Sequence, residues 1–199
     1  RMPRLTPRKK PQQDRSRALV AAMLEATRRV LLKDGFEATT VGEIARVAGV
    51  SPGSVYQYFP TKEAIISALH VSLEEDAVAY LAENLLEAQG APLDEVAGVI
   101  AGVMLQVARD DEELLRALSE AALQIGTSRK LAPVRQQRVQ LVSGFLSARN
   151  DVRTSSLAAQ VLMTSLSAVI DDALRTKAGL DDALFEELRV LTIRYLQDG

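Results

Sequence analysis

From Asp14 onward, apolar residues return at helical spacing almost without interruption. Leu19, Met23, Ala26 and Val30 recur at i, i+4, i+7 and i+11, and the segment stops at Gly35. No stretch alternates apolar and polar side chains for long, and no Asn-Gly pair marks a hairpin. A chain with one periodicity and no strand signal can bury its apolar surface only by packing helix on helix. The predicted fold class is therefore all-α.

Punctuation divides the remainder. Breaks at Gly90-Ala91-Pro92, Gly126-Thr127-Ser128, Pro133, Asn150-Asp151 and Gly179 place helices near 62–88, 93–109, 111–125, 132–148, 154–176 and 181–197. Arg1 to Gln13 carries Arg1, Arg4, Arg8, Lys9 and Lys10 among three prolines and reads as a flexible basic arm. No run of eighteen apolar residues suggests a membrane span, and the basic N-terminus lacks the apolar stretch of a secretory signal. Without cysteine there is neither a disulfide nor a thiolate metal site.

Charge is distributed unevenly. Residues 1–70 hold twelve Lys/Arg against six Asp/Glu, a balance of +6, and residues 71–199 hold twelve against twenty, a balance of −8. A basic front on an acidic body suggests that only the front meets a polyanion.

The segment 36–63 is the most informative. Thr40 followed by Glu43 forms a capping box, and Val41, Ile44, Ala45 and Ala48 make one buried stripe on a short helix that Gly49 ends. Ser51 then caps a second short helix with Pro52 at its first position. Val55 and Phe59 turn inward with Val50, and Pro60 stops the helix, leaving Thr61 to cap the next one. Two short helices joined by a glycine-containing turn form a helix-turn-helix. The outer face of the second helix presents Pro52, Gly53, Ser54, Tyr56, Gln57 and Tyr58, short or polar groups able to bond phosphates or base edges.

The run Gly35-Phe36, Thr39-Thr40-Val41, Ile44-Ala45, Ala48-Gly49-Val50-Ser51, Gly53, Tyr56, Phe59 and Lys62-Glu63 closely resembles the N-terminal signature of the TetR/AcrR transcriptional regulators. The resemblance covers about residues 14–70. It implies a three-helix helix-turn-helix DNA-binding domain over 14–61, behind the arm at 1–13, joined to a larger helical ligand-binding and dimerisation domain over 62–199. It also implies a cytoplasmic homodimer that binds double-stranded operator DNA and is released, as a repressor, by a small effector. Thr40 and Lys62 would hold phosphate, while Ser51, Gly53, Ser54, Tyr56, Gln57 and Tyr58 would lie in or beside the major groove. Tyr58 stands where the family often carries histidine, and Val55 where leucine is common.

In the body, Leu184, Leu188, Leu191 and Tyr195 form one stripe, and the preceding helix offers Leu157 and Val161 on a face of its own. These residues are the predicted dimer interface, which in the family is a four-helix bundle. Gln106, Gln124, Thr164, Ser165 and Ser167 interrupt apolar helices and are the candidate ligand contacts. With few aromatics after residue 70, the implied effector is small and apolar. Gly98 and Gly102 read as aids to helix packing.

An enzyme reading finds little support. His70, the one histidine, has no nucleophile or ligand cluster near it in sequence and reads as structural or solvent-facing. Asp171-Asp172 and Asp181-Asp182 lack metal-ligand spacing, and Asp110-Asp111-Glu112-Glu113 suits a helix N-terminus. No cofactor is implied. The competing reading is a DNA-binding regulator controlled by a protein partner, with a filled core in place of a pocket.

Overall fold

The computed structural model describes residues 10–126, 128–152, 156–176 and 178–197. Among the described residues there are helices and turns and no strand. They divide into two compact units, one up to Leu69 and the other from His70.

In the first unit, α1 (Lys10–Ala38) precedes α2 (Val41–Ala48), α3 (Pro52–Tyr56) and the opening turns of α4 (Lys62–Glu87). The helix begins inside the stretch expected to be an arm, so the backbone of residues 10–13 is helical. Pro11 sits in its first turn, where a missing N–H costs nothing. Gly35 breaks the regular winding with φ 73° and ψ 174°. Its carbonyl then accepts from both the amide and the hydroxyl of Thr39, at 3.2 and 2.6 Å, which turns the chain toward α2.

Met23, Ala26 and Val30 of α1 meet Val41, Ile44 and Ala45 of α2, Val55 of α3 and Ile65 of α4 in one buried cluster. Burying an aliphatic side chain of this size contributes about 1.5–3 kcal/mol. For an element of five residues such as α3, that burial and the caps supply all the stability there is.

The second unit holds the rest of α4 with α5 (Leu93–Asp110), α6 (Glu112–Ile125), α7 (Ser128–Ser147), α8 (Ser156–Thr176) and α9 (Asp182–Gln197). Residues of α4, α5, α7, α8 and α9 share its main core, with Leu81, Ile100, Val142, Leu166 and Leu196 all buried. The helix expected from residue 132 begins at Ser128, so Pro133 lies inside α7. Leu131 and Val134 on either side are buried against Val78, which holds the helix together where one backbone donor is missing. α8, although it holds no unbroken run of eighteen apolar residues, has the length and, with a mean hydropathy of 1.4, the composition of a membrane span. Its Leu162, Met163, Leu166, Ile170 and Leu174 are buried within this unit.

α5 and α9 pack closely because α5 presents glycine at the contact. A Cβ on Gly98 would lie 3.8 Å from Arg189 Cδ, and one on Gly102 would lie 3.5 Å from Phe185 Cε2. Arginines tie the helix ends: Arg116 donates to the Leu174 carbonyl at 2.9 Å, and Arg149 to the Ala91 carbonyl at 2.7 Å.

The contact at Gly102 leaves room for a methyl group and little more. Gly102→Ala should raise stability by up to ~1 kcal/mol through helix propensity. Gly102→Leu should lower it by ~1–3 kcal/mol by prising α9 away. Urea unfolding of the two variants checks both signs.

Candidate functional site

The exposed face of the first unit is shaped by how its helix ends are closed. Thr40 caps α2 with extended backbone, its hydroxyl accepting from the Glu43 amide at 3.2 Å. The reciprocal half of the expected capping box is absent. The Glu43 carboxylate is instead held by Arg46 at 2.8 and 2.6 Å, a fork that draws its pKa below the ordinary value. Gly49, at φ 70°, ends α2 in the left-handed region, and Val50 donates back to the Ala45 carbonyl at 3.0 Å.

Ser51 then caps α3, accepting from the Ser54 amide at 3.1 Å and sharing a hydrogen bond with its hydroxyl at 2.9 Å. Val55 is fully buried. Thr40, Ser51, Pro52, Gly53, Tyr56, Gln57 and Tyr58 are exposed and Ser54 half-buried, so the face expected to be open is open. The helix expected to run to Phe59 ends at Tyr56, and Gln57 is its C-cap. Pro60 disfavours helical backbone at Phe59, although Tyr58 and Phe59 both still donate to the Val55 carbonyl. The Tyr58 hydroxyl lies 3.2 Å from that of Ser16 on α1.

Lys62 departs most from its expected role. Its ammonium turns back to donate to the carbonyls of Phe36 and Glu37, at 2.9 and 3.1 Å, and sits 4.6 Å from the centre of the Phe36 ring. Two of its three N–H groups are thereby taken up at the end of α1, leaving one for a phosphate. Lys10 is the first residue of α1, and Arg4, Arg8 and Lys9 lie outside the described residues.

The second unit presents an apolar stripe. On α8, Leu157 is 68% exposed and Val161 41%, and the line continues through exposed Thr164 and Ala168. Leu191 of α9 is exposed, whereas Leu184 and Tyr195 are half-buried against their own core. Leu188, expected at an interface, is buried within the chain's own core. A single helical stripe could not tell the side facing α5 from the side facing out.

A cavity of about 90 Å³ lies among α4, α5, α6, α7 and α8. Much of its wall is aliphatic, including Leu73, Leu81, Val107, Leu115, Ile170 and Leu174, and no phenylalanine, tyrosine or tryptophan is among its described lining residues. Of the five candidate ligand contacts, Ser167 alone lines this cavity. Gln106 is exposed and bonds Asp110 at 2.7 Å, Gln124 and Thr164 are exposed, and Ser165 is half-buried away from the lining. Polarity within an apolar run does not fix the face that a residue occupies.

The polar lining that the sequence does not reveal includes His70, Glu74, Arg135, Arg138 and Asp171, with Asp111 and Ser119 beside them. The pairs His70/Glu74 and Ser167/Asp171 are four residues apart and Arg135/Arg138 three, so each pair shares a helix face. The signal existed, but only the packing of α4, α7 and α8 turns the pairs toward one another. Burial holds the His70 pKa below its ordinary 6.5, with Glu74 opposing and Arg135 reinforcing the shift. Burial likewise raises that of Asp171, with Glu74 reinforcing and Arg135, Arg175 and Arg138 opposing.

Comparison with known proteins gives these features a context. Residues 23–69 match the pattern of bacterial regulatory proteins of the tetR family, and residues 92–196 match the tetracyclin repressor-like C-terminal domain. The HTH-type transcriptional regulator BetI of Rhizobium meliloti is 39% identical over 83 residues, 40% of this chain and 38% of that one. The chain therefore matches well under half the length of that relative. A TetR family transcription regulator from Marinobacter aquaeolei superimposes with a TM-score of 0.64 at 19% identity, over 94% of this chain and 100% of the other. The fatty acid degradation regulator FadR from Bacillus halodurans also gives 0.64, at 18% identity, over 87% and 94%. At such identities the structures establish a shared fold.

The buried, neutral His70 ring should leave a mark on stability. The unfolded chain takes up a proton near pH 6.5 while the folded chain resists, so stability is full above that pH and falls as pH drops below it. Asp171, whose pKa is raised, works in the opposite direction at lower pH. Melting temperatures of the unmodified chain and His70→Gln, compared from pH 8 down to 5, should converge in slope above ~6.5 and separate below it. Parallel curves throughout would show that the ring charges freely.

Proposed function

The chain belongs to the TetR family of bacterial transcriptional regulators, a DNA-binding regulator and not an enzyme, and from that premise we propose that it is a homodimeric repressor released from its operator by a small molecule. In this reading residues 14–61 read DNA, residues 62–199 form the sensing and dimerising body, and residues 1–13 reach flanking phosphates or the minor groove. Its place of action is the cytoplasm, where the operator is.

The observation that carries the reading is the face formed by Ser51, Pro52, Gly53, Tyr56 and Gln57. These side chains stay in water while Val55, beside them, is fully buried. Hydroxyls and an amide at the start and end of one short helix suit the edges of bases in a major groove. The exposed stripe of Leu157, Val161 and Leu191 supports pairing with a second copy, which would set the spacing of two half-sites. Leu188 plays no part in that pairing, being enclosed in its own chain.

The cavity supports control by a small molecule over control by a protein partner, because a filled core would have left none. Residues of α4 border the cavity at His70, Leu73 and Glu74, and the same helix begins at Lys62. A ligand that favours an arrangement unable to span both half-sites lowers operator affinity. The factor is set by its differential binding to the two states, and operator weakens the ligand equally.

Selection from random duplexes by the purified chain should enrich a palindromic motif, with affinity falling steeply as salt rises. Gln57→Ala should relax preference at one base pair, worth about 1–3 kcal/mol of discrimination. Lys62→Ala should weaken all duplexes evenly and also lower the melting temperature, since it removes the donors to Phe36 and Glu37. The DNA-reading assignment fails if no motif is enriched, and the assignment of Gln57 fails if its loss is sequence-blind.

A further inference from the structure

Glu43 is the third residue of α2 and has two partners within reach. One is the Thr40 N–H, which would complete a capping box, and the other is the Arg46 guanidinium, nearly one turn further along. The structure shows the second. Arg46 holds the carboxylate through Nε and Nη2, at 2.8 and 2.6 Å. Among the described residues, no protein group accepts from the Thr40 amide. The Thr40 hydroxyl accepts from the Glu43 amide, so its own proton remains to be given away.

Stability does not explain the choice. The Arg46 side chain is 69% exposed and that of Glu43 29%, and an ion pair so open to water contributes little. A capping box satisfies one more backbone donor and would serve α2 at least as well. What differs between the two arrangements is where the negative charge stands. In the box it lies over the first turn of α2, against the Thr40 amide. In the fork it is drawn toward Arg46 and neutralised there. Lys33 and Asp34 add one charge of each sign nearby and leave that balance unchanged.

A phosphate that meets Thr40 therefore finds this end of α2 clear of a carboxylate. It can accept from the Thr40 hydroxyl and from first-turn amides, which have no partner within the helix. Gly42 keeps the approach open: it is exposed, and a Cβ there would stand 3.9 Å from the Thr40 hydroxyl oxygen. A carboxylate in the box would occupy the Thr40 amide and repel the phosphate at short range. Resting on the reading of the first unit as the one that binds DNA, we propose that Arg46 is a positioning residue for that binding. It holds Glu43 away from the start of α2, so that a backbone phosphate can be taken up at Thr40, and in this role Arg46 itself touches no DNA.

Fluorescence anisotropy at fixed salt, with a selected duplex and a scrambled one of equal length, tests this on the full chain and its variants. Arg46→Met frees Glu43 to close the capping box. It should keep the melting temperature and lower affinity for both duplexes alike, by about tenfold. Arg46→Lys, which can still pair with Glu43, should recover part of the loss. Glu43→Ala should bind at least as tightly as the unmodified chain. The double variant Glu43→Ala/Arg46→Met should then bind as Glu43→Ala does, to within the small loss that removing any one positive charge brings. An equal loss from Arg46→Met in both backgrounds would make Arg46 a direct phosphate contact and overturn the proposal, and so would no loss in either. A melting temperature that falls along with affinity in Arg46→Met assigns the fork to the folding of α2 and overturns it too. If the unmodified chain binds neither duplex, the DNA-binding reading falls and this role with it.

Discussion

A helix of five residues has no stability of its own, and the reading face depends on keeping one in place. Val55 is the side chain that does so. It is buried among Met23, Ala26 and Val30 of α1 and Ile44 and Ala45 of α2, while Ser51 satisfies an amide at the start of α3. With the inward face fixed, the outward one follows, because Tyr56 and Gln57 stand about 100° and about 200° around the helix from Val55 and look outward. The left-handed bend at Gly49 completes the arrangement by bringing α3 against α2 within three residues.

Most of this unit was legible in the sequence because its determinants are local. A cap needs a hydroxyl at one position and an amide three residues on, and a left-handed bend needs glycine. Both can be read from spacing alone, as Thr40, Ser51 and Gly49 illustrate. What could not be read was competition between partners. Glu43 can reach its own cap or Arg46, and the bidentate charged contact prevails. Lys62 can reach outward or back to α1, and two carbonyls with an aromatic face take it.

In the body the determinants are distant in sequence, and legibility falls accordingly. The periodicity found six helices there, but it did not say which side of each faces which neighbour. Leu188 and Leu191 lie on one predicted stripe, yet the first is enclosed and the second exposed. Gln106, a polar group within an apolar helix, is solvent-facing, while His70 and Asp171, which have no ligand cluster near them in sequence, border the cavity. The glycines of α5 make the same point in reverse. Gly98 and Gly102 hinted at a close contact, but only the fold identifies Arg189 and Phe185 of α9 as what approaches them.

The back-turned ammonium of Lys62 has a consequence for how discrimination arises. Because it ties the start of α4 to the end of α1 without DNA, and because the caps fix α3 likewise, the reading unit's ordering entropy is lost on folding rather than on binding. Such a preorganised surface has little freedom to remould itself around an imperfect sequence. The duplex must do the adapting, so the bending and groove width that a sequence permits become part of what is recognised, even at base pairs no side chain touches.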